Sequence, residues 1–253
     1  MRRRLVATLL ALLAAAVAAA APAGPGGDEL ADLEAQADYA FYTHDARLAA
    51  HVLEGAAGYA RSGDRRVRLQ YGHAALRRLQ LASLDGEHAV VARVGEACLD
   101  ALKADVQGGS DPEALALSIA CGGYLSLEGG LRGHALGARI DAWLVAAAPL
   151  AAAHPRLRLS RALALWYRTE VVADRVARCR ADFEAAATLL DSAQAGAPGD
   201  PTWGAADAWL YAGRAAVLAG DPVAARTAFE HALLVAPDFG AARRALDGFV
   251  ARP

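Results

Sequence analysis

Residues 206–239 constrain the fold of this 253-residue chain more than any other segment. When their apolar residues are compared with the 3.6-residue period of an α-helix, they form two short amphipathic stretches around Gly220-Asp221-Pro222. In this turn Asp221 can cap a helix, and Pro222 suits the first helical position. Small and bulky side chains recur at the spacing that lets two antiparallel helices touch and then stack on another pair. The positions expected to provide this repeat packing are Trp209, Gly213, Ala225, Phe229, Ala232 and Pro237. We therefore predict a helix hairpin.

These positions resemble the tetratricopeptide repeat (TPR), a unit of about 34 residues with the pattern W-x2-L-G-x2-Y, then A-x3-F, then P. Ala212 and Ala216 stand where the repeat usually has Leu and Tyr, which shrinks two contacts without removing a helix. The resemblance implies an all-α solenoid of stacked hairpins with a concave groove for a partner. The residues expected to face that groove are Asp207, Leu210, Arg214 and Val217.

Residues 154–246, roughly the C-terminal third, also resemble an uncharacterised group of exported bacterial TPR proteins. The shared features are Pro155-Arg156 at a helix start, Trp203-Gly204 at the opening of the last repeat and Phe239-Gly240 after its proline. Residues 168–175 depart from that group, in which a proline and paired glycines are expected. A more distant likeness, in fold and compartment alone, is to helical-repeat subunits that accompany periplasmic solute transporters.

The rest of the chain favours helices as well. Hydrophobic residues make up 55% of it and are mostly Ala and Leu, and no alternating strand pattern appears. We predict about five hairpins in a single TPR-like domain, residues 24–253, with a capping helix at 240–251. Asp64 is expected to begin the third helix, and Ser110-Asp111-Pro112-Glu113 has the form of a capping box. The second helix is expected to reach Ala60, and Pro149 to bend or end the sixth.

Residues 1–23 have the pattern of a cleavable signal peptide. Three arginines precede an apolar stretch, and Ala21-Pro22-Ala23 forms a small-x-small cleavage site. The alternative is a membrane anchor, but the stretch is short, Ala-rich and followed at once by Pro and Gly. Removal would leave 253 − 23 = 230 residues with a net charge of −2 − 3 = −5. We expect an exported protein of the bacterial periplasm, and its acidic charge argues against a nucleic-acid partner.

The three cysteines are an odd number for an oxidising compartment. Cys98 and Cys121 lie at similar distances on either side of the Gly108-Gly109 turn, so an antiparallel hairpin would bring them to the same height. They are either a disulfide or two buried thiols that point apart, because a bridge needs Cα atoms within about 7 Å. Cys179 stands where a repeat has a small buried residue and is expected to be an inert thiol.

No motif indicates catalysis. The seven histidines are scattered without His-Glu-x-x-His spacing, and Gly129-Gly130-Leu131-Arg132-Gly133 lacks both the preceding strand and the Lys-Ser/Thr end of a phosphate loop. We therefore expect no catalytic residue, no metal site and no bound cofactor. Arginines cluster in two places, which predicts either solvated helix faces paired with acids or a patch for an anionic partner. The clusters are Arg65, Arg66, Arg68, Arg77 and Arg78, then Arg175, Arg178 and Arg180.

Two functional hypotheses follow. The first is a scaffold in the bacterial cell envelope that binds an unidentified protein partner and reaches a membrane only through it. The second is a small-ligand-binding or transporter-associated subunit with a pocket near Trp143, Trp166 and Trp203, although aromatic residues of such helices more often pack between helices. An open groove would favour the first hypothesis, and an enclosed apolar pocket with a few polar groups the second. An enzyme comes third.

Overall fold

The computed structural model describes residues 24–107, 109–168, 174–193 and 196–250. Within these ranges it contains eleven α-helices and no strand, which confirms the all-α prediction. The predicted signal peptide and residue 251, the last of the predicted capping helix, lie outside the described residues. The helices are α1 (Gly27–Tyr42), α2 (Ala46–Gly55), α3 (Arg65–Leu84), α4 (His88–Val106), α5 (Pro112–Ser126), α6 (Gly130–Ala147), α7 (Pro155–Trp166), α8 (Arg175–Ser192), α9 (Ala205–Leu218), α10 (Pro222–Val235) and α11 (Gly240–Val250).

Aspartate side chains cap several helices. Asp64 accepts a hydrogen bond from the backbone N–H of Arg66 at the start of α3, and Asp221 accepts one from Ala224 at the start of α10. Pro222 occupies the first turn of α10, where its missing N–H costs nothing. Both helix starts are as the sequence predicts.

The start of α5 differs from the predicted capping box. Asp111, one residue beyond the expected cap Ser110, accepts from the N–H groups of Glu113 and Ala114. The Glu113 side chain does not turn back to the cap, because it forms an ion pair with Arg156 at 2.8 Å. A tertiary contact between α5 and α7 thus replaces the local one.

The α2 helix ends earlier than the sequence predicts, whereas the sixth helix ends close to Pro149, as predicted. The second helix was expected to reach Ala60, but α2 ends at Gly55 and a short 3-10 helix, Ala57–Arg61, follows. Glycine at this point weakens the α-helix because it gives up more backbone freedom than other residues. The sixth helix ends at Ala147, two residues before Pro149, as expected because proline disfavours a helical conformation in the residue before it.

Helix α3 lies at the centre of the packing. Neighbouring helices along the chain contact each other, and α3 contacts α1 and α5 as well as α2 and α4. It is buried around its whole circumference, which puts four polar side chains out of reach of solvent. These are Gln70, His73, Arg77 and Arg78.

The N-terminal helix also meets the C-terminal part of the chain. The rings of Phe41 and Tyr42 lie 5.8 Å and 4.5 Å from the ring of Phe239. At the other end of α1, Gly27 is so close to Pro198 that a Cβ there would lie 2.5 Å from the Pro198 Cβ. Helix α1 therefore packs against segments about 170 to 200 residues later in the chain as well as against α2 and α3.

The hairpin of α9 and α10 packs largely through the expected residues. Ala225, Phe229 and Ala232 are buried, whereas Pro237 is exposed and follows the end of α10. Trp209, expected to be buried between helices, is only partly buried: its Nε1 donates to Asp191 at 2.8 Å. The tryptophan therefore covers the edge of the hairpin and is not part of its buried core.

Gly213 allows the two helices to approach. A Cβ built on it would lie 2.4 Å from Cε1 of Phe229, closer than real side chains come.

We predict that Gly213→Ala lowers the free energy of unfolding by about 1–3 kcal/mol because the buried ring must move. Urea unfolding measures this, and the loss should shrink when Phe229→Leu removes the clash. Gly137→Ala is the control, since its Cβ meets nothing within 4 Å and alanine favours the helix. An equal loss in both variants would contradict the packing role.

Cys98 and Cys121 form a disulfide between α4 and α5, with Cα atoms 6.6 Å apart. Cys179 is a buried free thiol, and burial raises its pKa to about 11.

The disulfide closes a loop with a sequence separation of 23. We predict that replacing both cysteines by alanine lowers the free energy of unfolding by about 3 kcal/mol, because the unfolded chain regains loop entropy. Denaturant titration of the purified chain tests this. Cys179→Ala is the control with the disulfide intact, and thiol counting should find one free thiol in the unfolded wild type. Three free thiols without reductant would contradict the bridge.

Candidate functional site

A partly enclosed cavity of about 330 Å³ lies between α3, α5, α6 and α7, with the start of α9 at one side. Its volume is at the small end of ligand pockets, which run from roughly 300 to 1,000 Å³. Most of its wall is aliphatic. The large aliphatic residues that line it are Leu76, Ile119, Leu127, Ile140, Leu144, Leu159 and Leu163.

The Arg77 guanidinium lies at the polar side of this cavity and is only 1% exposed. Its Nε donates to Asp38 at 2.6 Å, and its two terminal nitrogens donate to the two oxygens of Asp207 at 3.0 and 2.8 Å. The remaining N–H groups reach Gln80 at 3.0 Å and the Tyr42 hydroxyl at 3.3 Å. An arginine side chain has five N–H donors, so every one is engaged.

A second set of hydrogen bonds extends this network. Glu34, buried on α1, accepts from Gln70 at 2.7 Å and from both the backbone N–H and the hydroxyl of Thr202, at 2.7 and 2.6 Å. The Gln70 amide also donates to the Gly199 carbonyl at 3.2 Å. Helix α1, helix α3 and the segment before α9 are thus joined by buried polar contacts.

These contacts shift the ionisation of the buried groups. Burial by itself would raise the pKa of Asp38, but the charges of Arg77 and His73 outweigh it and hold the pKa at about 2. Burial likewise opposes the charge on Arg77, yet Asp207 and Asp38 raise its pKa well above the usual value. The His73 Nε2 is 3.1 Å from Asp38, and its ring stacks on Trp203 with centroids 5.6 Å apart. Asp38 and Arg77 therefore carry opposite charges at neutral pH.

Two tyrosines line the cavity. Burial and the nearby Tyr167 raise the pKa of Tyr124. The hydroxyl of Tyr167 bonds that of Tyr211, whose pKa burial also raises. The Tyr124 phenol at the cavity wall therefore stays protonated at neutral pH.

The remaining charged residues of the wall form an ion pair. Arg168 contacts Asp141, and both side chains are at least one-third exposed. The pair joins the end of α7 to α6 and lies where the wall meets solvent. The charged lining residues therefore form the ion pairs Arg77–Asp207 and Arg168–Asp141.

The four residues expected to face a partner groove are not presented together. Asp207 and Leu210 are buried, 5% and 3% exposed, because α1 and α3 cover this part of α9. Arg214 lies over the Tyr211 ring at 5.0 Å, and Val217 is exposed. Only the C-terminal half of the expected set reaches solvent, so the set does not form one open groove here.

The arginines near α3 pair with acids, as the solvated-face interpretation expects, but two are not solvated. Arg65 bonds Asp111, and Arg68 binds Asp105 at 2.6 Å. Arg77 and Arg78, which belong to the same arginine cluster and are predicted to be solvated, are buried. The signal that could have revealed this is the α3 sequence, whose apolar residues occur on every face, so charges in its middle cannot all reach solvent.

The arginines of the second cluster behave differently. Arg175 donates to the backbone carbonyl of Arg168 at 2.6 Å, and Arg180 pairs with Glu184 at 2.7 Å and Asp221 at 2.8 Å. The last contact ties α8 to the start of α10. Two acids thus compensate the charge of Arg180, whereas Arg175 bonds a neutral carbonyl and Arg178 is exposed.

Of the three tryptophans predicted near a pocket, only Trp203 lines the cavity. Trp143 packs over Gly122 and under Arg139, and Trp166 packs against Phe183 and Tyr211. The histidines do not converge: in the described ranges no group of three or more His, Cys, Asp or Glu could hold a metal ion.

Comparison with protein-family models, curated proteins and solved structures found no match for this chain. None of the helices that the structure describes has the length and apolar character needed to cross a membrane.

Because the pKa of Asp38 is low, the free energy of unfolding depends on pH in the acid range. The folded pKa of about 2 is below the unfolded value of about 3.9, so the stabilisation is complete above pH 4 and is lost as pH falls towards 2. We predict that Asp38 contributes about 2 kcal/mol to this loss. Asp38→Asn should lower stability at pH 7 and flatten its decline between pH 4 and 2.5 in urea titrations. Exposed Asp32→Asn is the control, and an equal slope in both variants would contradict the assignment.

Proposed function

We propose that this chain is an exported TPR-like helical-repeat protein that binds a small molecule in the cavity between α3, α5, α6 and α7. The cavity itself carries the proposal, because it is apolar, partly enclosed and bordered by a few convergent polar groups. No catalytic step is part of the proposed function. The hairpin of α9 and α10, with Gly213 under Phe229, supports the TPR relationship.

The cavity supports ligand binding better than it supports a scaffold role. A TPR scaffold needs an open concave groove, and here α1 and α3 cover the positions of Asp207 and Leu210. The space that remains on the inner side is a cavity sized for a small molecule. The Arg77 network holds one side of that cavity through contacts to α1 and α9, so the site is formed before a ligand enters.

Two features support the proposed periplasmic location. Residues 1–23 have the basic, apolar and small-residue regions of a signal peptide. Cys98 and Cys121 form a disulfide, a bond that persists in oxidising compartments such as the periplasm. A ligand-binding subunit that works with a solute transporter fits this location.

A protein-interaction scaffold is the second candidate, favoured by exposed apolar residues at the α9–α10 turn. Leu218 and Val223 flank that turn and are 65% and 76% exposed. Exposed apolar residues that adjoin each other can mark a protein contact. In this second candidate the partner binds outside the cavity, so the two functions respond to different substitutions.

Filling the cavity tests the proposed function. A side chain added at Gly123 or Gly137, which both line the cavity, has nothing within 4 Å of its Cβ. We predict that Gly123→Leu with Gly137→Leu leaves the fold intact and removes the ligand that wild-type residues 24–253 retain from an envelope extract. Native mass spectrometry measures retention, and Gly248→Leu on α11 is the matched control, since it also meets nothing.

The outcomes separate the two candidate functions. A small molecule held by wild type and the control but not by the filled variant supports ligand binding. If wild type holds no small molecule, or the filled variant holds it equally, the cavity proposal is wrong. A protein partner lost on Leu218→Asp and kept by the filled variant would establish the scaffold instead.

A further inference from the structure

We propose, on the basis of the small-molecule function above, that the ligand is a mainly aliphatic carbonyl compound such as a ketone or an ester. Its carbonyl oxygen accepts one hydrogen bond from Trp203 Nε1 and one from the Ser160 hydroxyl. These two groups, here called the donor pair, belong to residues that line the cavity. They are the buried side-chain polar atoms of its wall that have no hydrogen-bond partner among the described residues.

The first support is the unmatched indole of Trp203. The residue is only 4% exposed, and no described residue accepts a hydrogen bond from its Nε1. An indole N–H can only donate, so the group that satisfies it must be an acceptor. Because buried donors are nearly always matched, an unmatched one at a cavity wall marks the place of an acceptor that enters from outside.

The second support is the hydroxyl of Ser160 on α7. Ser160 is 2% exposed, and its Oγ has no partner in the described part of the chain. A serine or threonine inside a helix commonly points to solvent or donates to the carbonyl four residues earlier. Thr188 and Thr227 donate in this way, at 2.9 and 3.0 Å. Ser160 does neither, so its hydroxyl remains for a ligand.

The two groups of the donor pair come from adjoining backbone. The segment before α9 lies against α7, because a Cβ built on Gly204 would be 3.3 Å from the Leu159 side chain. Gly204 follows Trp203 in the sequence, and Leu159 precedes Ser160. The His73 ring stacks on the indole with the two planes 16° apart and holds the indole in place. The indole donor is therefore oriented before a ligand binds.

The number of protons in the donor pair favours a carbonyl group over a hydroxyl group. A carbonyl oxygen has two lone pairs and no proton, so it can accept from the indole N–H and the serine O–H at once. An alcohol brings a third proton, and one of the three then has no acceptor within this set. A carbonyl compound therefore satisfies the donor pair, whereas an alcohol does not.

The charged residues of the wall are already paired within the protein. All five N–H groups of Arg77 are engaged, and both oxygens of Asp207 accept from it. Asp141 pairs with Arg168 where the wall meets solvent. A carboxylate or ammonium head group would lose its water and gain no unpaired opposite charge from these residues. The neutral carbonyl group is therefore preferred to an ion.

The body of the ligand is defined by the rest of the wall. Leucine and isoleucine side chains from α3, α5, α6 and α7 form it, with Ala120 and Ala164 between them. Such a surface offers dispersion contacts and no hydrogen bonds. An alkyl or alicyclic body that ends in one carbonyl group therefore suits both parts of the cavity.

Probes of one chain length with different head groups test this. We would titrate residues 24–253 at pH 7.5 with 2-octanone, 2-octanol and octanoate by isothermal calorimetry. We expect 2-octanone to bind about fivefold more tightly than 2-octanol and at least about tenfold more tightly than octanoate. Ser160→Ala should weaken 2-octanone binding about fivefold, because the carbonyl oxygen loses one donor.

The indole donor is tested in the unsubstituted chain. The four tryptophans give four indole N–H signals in a ¹H–¹⁵N spectrum. The Trp203 signal is assigned with Trp203→Phe or, if that variant does not fold, through its contact with the His73 ring. We expect saturation with 2-octanone to move this proton signal downfield, because the N–H gains an acceptor. A signal that does not move would overturn the role of the indole.

Ser118→Ala is the matched control. Ser118 on α5 is also buried, and its Oγ also lacks a partner among the described residues, but it does not line the cavity. This variant should bind 2-octanone as the wild type does. If Ser160→Ala has no larger effect than Ser118→Ala, or if 2-octanol or octanoate binds as tightly as 2-octanone, the donor pair is wrong and the cavity remains a ligand site.

Two other outcomes concern the small-molecule function itself. It fails if no probe binds the wild type. It also fails if the variant with Gly123→Leu and Gly137→Leu binds all three probes as the wild type does.

Discussion

The structure depends on the full hydrogen bonding of one buried arginine. Arg77 on α3 is inaccessible to solvent, and a guanidinium in that position is tolerated only when its charge and all five donors are matched. Its acceptors come from α1, from α3 itself and from α9, 130 residues away. The network therefore requires that the N-terminal helix, the central helix and the last hairpin come together. The cavity lies beside this junction.

Local features of the fold could be predicted from the sequence, because short-range chemistry determines them. Asp64 and Asp221 cap helices by bonding N–H groups a few residues away, and Pro149 follows a helix end. The contact of Gly213 with Phe229 also lies within one hairpin. Even here a tertiary contact changed one detail, since Glu113 pairs with Arg156 and leaves the cap to Asp111 alone.

The candidate site could be predicted only in part, since it forms from residues distant in sequence. Trp203 was expected near a pocket and lines it, but the pattern could not show that Glu34, Asp38 and Asp207 would meet α3. A repeat pattern fixes how one hairpin packs and says little about the angle between successive hairpins. The small angles between successive hairpins add along the chain. Their sum decides whether Leu210 faces a partner or is covered by other helices of the same chain.

Buried ion networks are costly, and apolar side chains of similar volume often give equal or greater stability. The contribution of Arg77 is therefore better sought in what its position determines. With Asp38 and Asp207 it joins α1 to α9, and it donates a further hydrogen bond to Gln80 on its own helix. One set of hydrogen bonds thus joins these helices and leaves no free donor of Arg77 at the cavity wall. The packing of α1 and α9 on α3 and the polar side of the cavity therefore depend on the same buried charge.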